Sequence, residues 1–120
     1  MKRLLLSIVF SLFAFSAQAK DYILYYFHSN VRCATCKKFE SWTTQTAQNL
    51  PVEFKIINTD SKENAHYLTD YSLYTKSVVI TDNQGNFKNL DKIWNYNNNQ
   101  NAFMNYVSDE VKAFIGENKQ

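Results

Sequence analysis

The residues best suited to chemistry are Cys33 and Cys36, which bracket Ala34-Thr35 and are the only two cysteines in the chain. Three positions apart, they close a ring too small to staple a fold through loop entropy. The spacing therefore points to reactive sulfur rather than to a structural tie. An apolar run ends just before the pair and a helix is expected to start at it. The first N–H groups of a helix have no internal partner, and they favour negative charge together with the helix dipole. In such places thiol pKa values fall from about 8.5 to about 3.5–7.5. Cys33, nearest the helix start and solvent, is expected to be the nucleophile, with Arg32 and Lys37 adding positive charge. Cys36, one turn further in on the same face, is expected to resolve the mixed disulfide that Cys33 forms.

Two further residues are candidates. Glu40 follows Cys36 by four positions and shares its helical face. It can accept the Cys36 proton during resolution; otherwise it is a surface glutamate paired with Lys37. His28 precedes Cys33 by five residues. It is either an imidazolium favouring the thiolate, a metal ligand, or a loop histidine bonded to backbone. His66, mid-helix, has no chemical company, and Phe39 and Trp42 read as packing residues.

The elements that hold these residues follow from patterning. Tyr22–Phe27 is a dense aromatic and β-branched run, expected as a central strand buried on both faces. His28–Arg32 is a loop and Cys33–Asn49 a helix, ended by Pro51 because Leu50 is biased away from the α region. Val52–Ile57 is the second strand. Ser61 is a fitting N-cap for a helix through Leu73. Ser77–Thr81 is the third strand, Asp82–Gly85 a turn, and Phe87–Trp94 a fourth strand completing a hairpin. Asn95–Asn101 holds five asparagines and reads as a linker. The last helix is expected over Gln100–Ile115, with Phe103, Val107, Val111 and Phe114 on one stripe and Gly116 as its stop. The fold class is α/β in the order β-α-β-α-β-β-α. The first two strands are parallel, the hairpin adds an antiparallel edge, and helices lie on both faces.

The N-terminus has its own pattern. Lys2 and Arg3 precede an apolar run, Leu4–Phe15, and then Ser16-Ala17-Gln18-Ala19. These are the three parts of a secretory signal peptide. The run is short of the roughly 20 apolar residues that a membrane span needs. Residues 1–19 are read as a leader and 20–120 as one domain, exported to the periplasm or beyond, where disulfides persist. The formal charge of +2 includes Lys2 and Arg3. Without them the domain is near neutral, which argues against nucleic acid as a partner.

The Cys pair at a strand-to-helix junction, within this element order, resembles the thioredoxin superfamily in its minimal form, without the extra N-terminal strand and helix. The segment Phe27-His28…Arg32-Cys33-Ala34-Thr35-Cys36…Glu40 also resembles a narrower group of small exported bacterial proteins. These are named as the thioredoxin-like subunit of a nitrophenyl-compound nitroreductase, the ArsF-type family. The resemblance implies a four-stranded mixed sheet with three helices and a redox-active Cys33–Cys36 disulfide. It implies protein thiols or disulfides, or a redox partner subunit, as partners. One departure stands out. Thioredoxin-like proteins carry a cis-proline before the third strand, and here Lys76 holds that place. A cis bond outside proline costs roughly 2.5–4 kcal/mol, so a trans bond and an altered substrate groove are expected, with Lys76 either beside the Cys33 thiolate or solvated on a loop.

Three functions compete. The first is a thiol–disulfide oxidoreductase or redox subunit, needing no cofactor; a reductase outside the cytosol also needs a membrane electron donor. The second is a module holding Cu(I) or Zn(II) through Cys33, Cys36 and His28. With no second Cys pair, a structural zinc site is short of ligands. Haem attachment is excluded because Lys37, not histidine, follows Cys36. The third is an interaction domain with a passive disulfide. Ala34-Thr35 does not choose between reductase, oxidase and isomerase.

Overall fold

A computed structural model describes residues 21–74 and 76–119. The expected leader, 1–19, lies outside the described residues. The first strand, β1 (Tyr22–His28), is almost wholly buried, as its unbroken apolar run requires. It pairs in parallel with β2 (Glu53–Asn58) from Ile23↔Glu53 to His28↔Asn58. On its other side it pairs antiparallel with β3 (Ser77–Asp82), all six residues of which are buried. The sheet order is β2-β1-β3-β4, with β4 (Phe87–Asn89) antiparallel to β3. The parallel first pair and the antiparallel hairpin edge are those expected from the element order.

Helix α1 (Ala34–Ala47) carries the crossover from β1 to β2, and α3 (Gln100–Glu117) packs on the same face of the sheet. Between them lies the main core: Leu24, Tyr26, Phe39, Val78, Ile80, Phe103, Val107 and Val111, none of them exposed. The expected stripe on α3 is its buried face. On the opposite face, Tyr25, Phe27, Val79 and Leu73 form a second cluster, flanked by Tyr67 and Tyr71. Helices therefore lie on both faces, but unequally.

Four boundaries differ from the sequence pattern. The helix expected over Ser61–Leu73 is broken into a 3-10 turn, Lys62–Asn64, and a short α2, His66–Asp70, neither with a buried residue. Ser61 stands at the N-cap without making a side-chain cap bond. Helix α2 ends in a Schellman motif: Leu73 N–H donates to Leu68 O at 2.9 Å and Ser72 N–H to Thr69 O at 3.4 Å. Ser72 takes the left-handed position that motif requires, at φ 54°. The fourth strand stops at Asn89 rather than Trp94, and Asp91–Tyr96 is a 3-10 helix. Leu90 and Ile93, both fully buried, sit three apart, which suits a 3-10 turn and not a strand. The tract expected as a linker is thus partly helical. Gly116 lies inside α3, which runs to Glu117 before Asn118 caps it through its side-chain amide and Phe114 O.

Candidate active site

The loop after β1 delivers Cys33 to the N-cap of α1. Its backbone is extended (φ −82°, ψ 168°), and its sulfur accepts the Cys36 N–H at 3.1 Å. Cys33 O takes the first helical bond, from Lys37 N–H at 3.0 Å. The nucleophile candidate therefore sits one position earlier than expected, at the cap rather than in the first turn. There its sulfur faces a backbone donor that has no helical partner. Cys33 is exposed and Cys36 is only 2% exposed. Cys33 is thus open to a partner sulfur and Cys36 is not. The two are joined as a disulfide with Cα atoms 5.0 Å apart, inside the usual span of about 4.4–6.8 Å.

Beneath the pair lies Tyr26, fully buried, whose hydroxyl donates to Cys36 O at 2.9 Å. Its phenol is pushed up to about 12, first by burial and then by the Glu40 carboxylate, with Arg32 pulling the other way. It stays a neutral donor through the physiological range. Nothing in the sequence marks it as part of the site except its place two residues before His28, on the same face of β1. Phe39 closes the floor, stacked on Phe103 at 4.9 Å and edge-on to Trp94 at 5.0 Å. With Trp42 5.3 Å from Phe103 it forms the packing layer expected of it.

Glu40 pairs not with Lys37 but with Arg32, whose guanidinium reaches over the first turns of α1 to its carboxylate. Both side chains are about one-third to one-quarter exposed. His28 is nearly buried. Its Nδ1–H donates to Ser29 O at 2.8 Å and its ring lies over Tyr26. That is the backbone-bonded arrangement offered as the plainer alternative. Lys76 stands in the wall shared by two clefts. One of about 240 Å³ is bounded by Tyr74, Leu90, Ile93 and Trp94. The other, about 440 Å³, is bounded by His28, Thr59, Asp60 and Leu73. Cys33 lines neither. No peptide bond is cis among the described residues, and Thr75, before Lys76, lies outside them. His66 is bonded to Asp70 at 2.8 Å on the surface, remote from the pair in sequence and in role.

The metal-binding alternative finds no cluster. Among the described residues no three His, Cys, Asp or Glu side chains gather where they could hold an ion, so Cys33, Cys36 and His28 do not form such a set.

No protein-family model matches the chain, and no curated protein matches it. Among solved structures it is similar to the solution structure of a thioredoxin from Thermus thermophilus, at 14% identity and a TM-score of 0.41. The match covers 57% of this chain and 57% of that one.

Proposed function

We propose that the protein is an exported thiol–disulfide oxidoreductase, or the redox subunit of a larger enzyme, working through Cys33 and Cys36. One observation carries this reading: the exposed Cys33 sulfur accepts the Cys36 N–H at the start of α1, while Cys36 is buried one turn behind it. In the reducing direction the Cys33 thiolate attacks a partner disulfide. One partner sulfur leaves as thiolate, and a mixed disulfide forms. Cys36 then loses its proton and attacks the Cys33 sulfur, releasing the second partner thiol and closing the Cys33–Cys36 bond. Two electrons pass to the partner, and the oxidising direction is the reverse.

Export is supported by Lys2-Arg3, the apolar run Leu4–Phe15 and Ser16–Ala19. In an oxidising compartment the pair rests as a disulfide until a partner, such as a membrane electron donor, reduces it. The likeness of the His28–Glu40 segment to the ArsF-type group favours a redox subunit over a general reductase.

The test is to equilibrate the purified domain with mixtures of reduced and oxidised glutathione and alkylate the free thiols. A reversible two-thiol transition is expected. In parallel, a Cys36→Ser variant should accumulate a mixed disulfide that Cys33→Ser does not form. A bridge that stays oxidised below about −300 mV, with no trapped intermediate, would sink the reading and leave a passive disulfide.

A further inference from the structure

Arg32 immediately precedes the nucleophile, yet its guanidinium is held by Glu40, seven residues beyond Cys33 on α1. Glu40 lies in the second turn of α1, about 10 Å of helical rise beyond Cys33, so the guanidinium is tied to a carboxylate based along the helix. Both charges act on Tyr26, whose hydroxyl donates to Cys36 O. In the disulfide form Cys33 carries no charge, and Glu40 is the anion engaged with the guanidinium. Reduction places a second anion, the Cys33 thiolate, one residue from Arg32.

From this geometry we infer that Glu40 is a positioning residue which sets the poise of the Cys33–Cys36 couple by competing with the Cys33 thiolate for Arg32. The inference rests on the thiol–disulfide reading and adds what tunes it. While Glu40 holds the guanidinium, the reduced form is deprived of its nearest counter-ion and the disulfide is favoured. Remove Glu40, and Arg32 is free to turn back to the thiolate, so the dithiol is favoured. A stabilised reduced form makes a couple more oxidising. The ion pair thus acts as a brake on oxidising strength. Lys37, His28 and Lys76, the other cations and titratable groups of this end of the sheet, are unchanged throughout the test.

A double-mutant cycle decides it. Wild type, Arg32→Gln, Glu40→Gln and the double variant are each equilibrated with glutathione. Two glutathione thiols become one glutathione disulfide for each Cys33–Cys36 bond opened. Glu40→Gln is expected to shift this equilibrium toward the dithiol by about fivefold, equivalent to about 20 mV. Arg32→Gln should shift it toward the disulfide. In the Arg32→Gln background the Glu40→Gln shift should largely vanish, because there is no guanidinium left to release. Arg32→Lys, which keeps the cation, should stay closer to wild type than Arg32→Gln does.

An equal Glu40→Gln shift in both backgrounds would overturn the inference, since Glu40 would then act as a bare charge. So would no shift in the wild-type background. A wild-type pair that does not exchange with glutathione at all overturns the redox reading, and the inference with it. Both side chains are partly exposed, and far-UV circular dichroism of each variant confirms that the fold is unchanged.

Discussion

Replacing Cys33 separates two roles that one sulfur plays, and the structure sets the size of each. As an N-cap, Cys33 satisfies the Cys36 N–H at 3.1 Å. Losing a side-chain cap typically costs about 1 kcal/mol, within a range of about 0.5–2. Serine keeps an acceptor at the same place and alanine does not. The covalent bond is a separate matter. Closing a ring of four residues constrains the unfolded chain by about 2 kcal/mol in the chain-entropy model.

Under a strong reductant the covalent contribution is absent from every protein, and only the cap remains. Cys33→Ser should then match or exceed reduced wild type. Cys33→Ala should fall below both by about 1 kcal/mol, or about 4–8 °C in Tm for a domain of this size. Urea and thermal melts followed by far-UV circular dichroism measure it. Without reductant, wild type should rise above all three, by no more than about 2 kcal/mol over its reduced form. If Cys33→Ala and Cys33→Ser melt together, the sulfur is not the cap of α1. The same N–H then cannot steady a Cys33 thiolate.

Three other outcomes follow from the packing. Phe39→Ala should cost about 3–5 kcal/mol, because Phe39 is fully buried between Phe103 and Trp94; a loss under 1 kcal/mol in urea denaturation would contradict this floor of the site. Ser72→Gly should stabilise the protein by about 1 kcal/mol, since a left-handed backbone penalises any residue with a Cβ by about that much; an unchanged urea midpoint would count against the Schellman end of α2. Asp82 accepts Asn86 Nδ2–H at 3.0 Å, Gln84 N–H at 2.9 Å and Asn86 N–H at 3.0 Å. These bonds, the Asn86 side chain first, hold its carboxyl below the usual range. The stability it adds is present above the ordinary carboxylate value and is lost as pH falls through the lowered one. Asn86→Ala should therefore be less stable than wild type at neutral pH and lose less as the pH falls, so that the two curves converge in an acid titration of the urea midpoint; parallel or superimposable curves would refute the linkage.

The parts of the fold visible in the sequence are those where one physical demand dominated. Tyr22–Phe27 admits a single reading, because a run so apolar is tolerable only when both faces are covered. The Cys pair and Pro51 bracket α1, and the 3.6-residue stripe of Phe103, Val107, Val111 and Phe114 fixes the inner face of α3. The misread segments are those where two patterns share the same residues. Phe87, Leu90 and Ile93 are apolar at threes, and a strand prediction passed over a spacing that a 3-10 turn satisfies. Ser61–Leu73 has helix-forming residues but, before Leu73, only Tyr67 and Tyr71 to lay partly against the sheet, so it follows its local turns. Gly116 weakens a helix without ending it, and the asparagine two residues on supplies the cap. At the site, the pairing of Cys33 with Cys36 at the start of α1 was legible from their spacing and from the apolar run before them. The Arg32–Glu40 pair was not. Helical spacing rules connect residues within a helix, and Arg32 lies in the loop before it.

The unequal covering of the two sheet faces has a consequence for how the molecule opens. Cys33 hangs from β1, which is hydrogen-bonded on both edges and buried almost throughout. Lys76 and Tyr74, by contrast, follow a segment whose 3-10 turn and α2 hold no fully buried residue. Amide protons of β1 and β3 should exchange with solvent only on global unfolding, whereas those of residues 62–70 need only a local excursion. The reactive sulfur is thus fastened to the slowest-exchanging part of the chain, and one wall of the neighbouring clefts belongs to the fastest. That wall can loosen around a bulky partner without the Cys33–Cys36 geometry taking part in the motion.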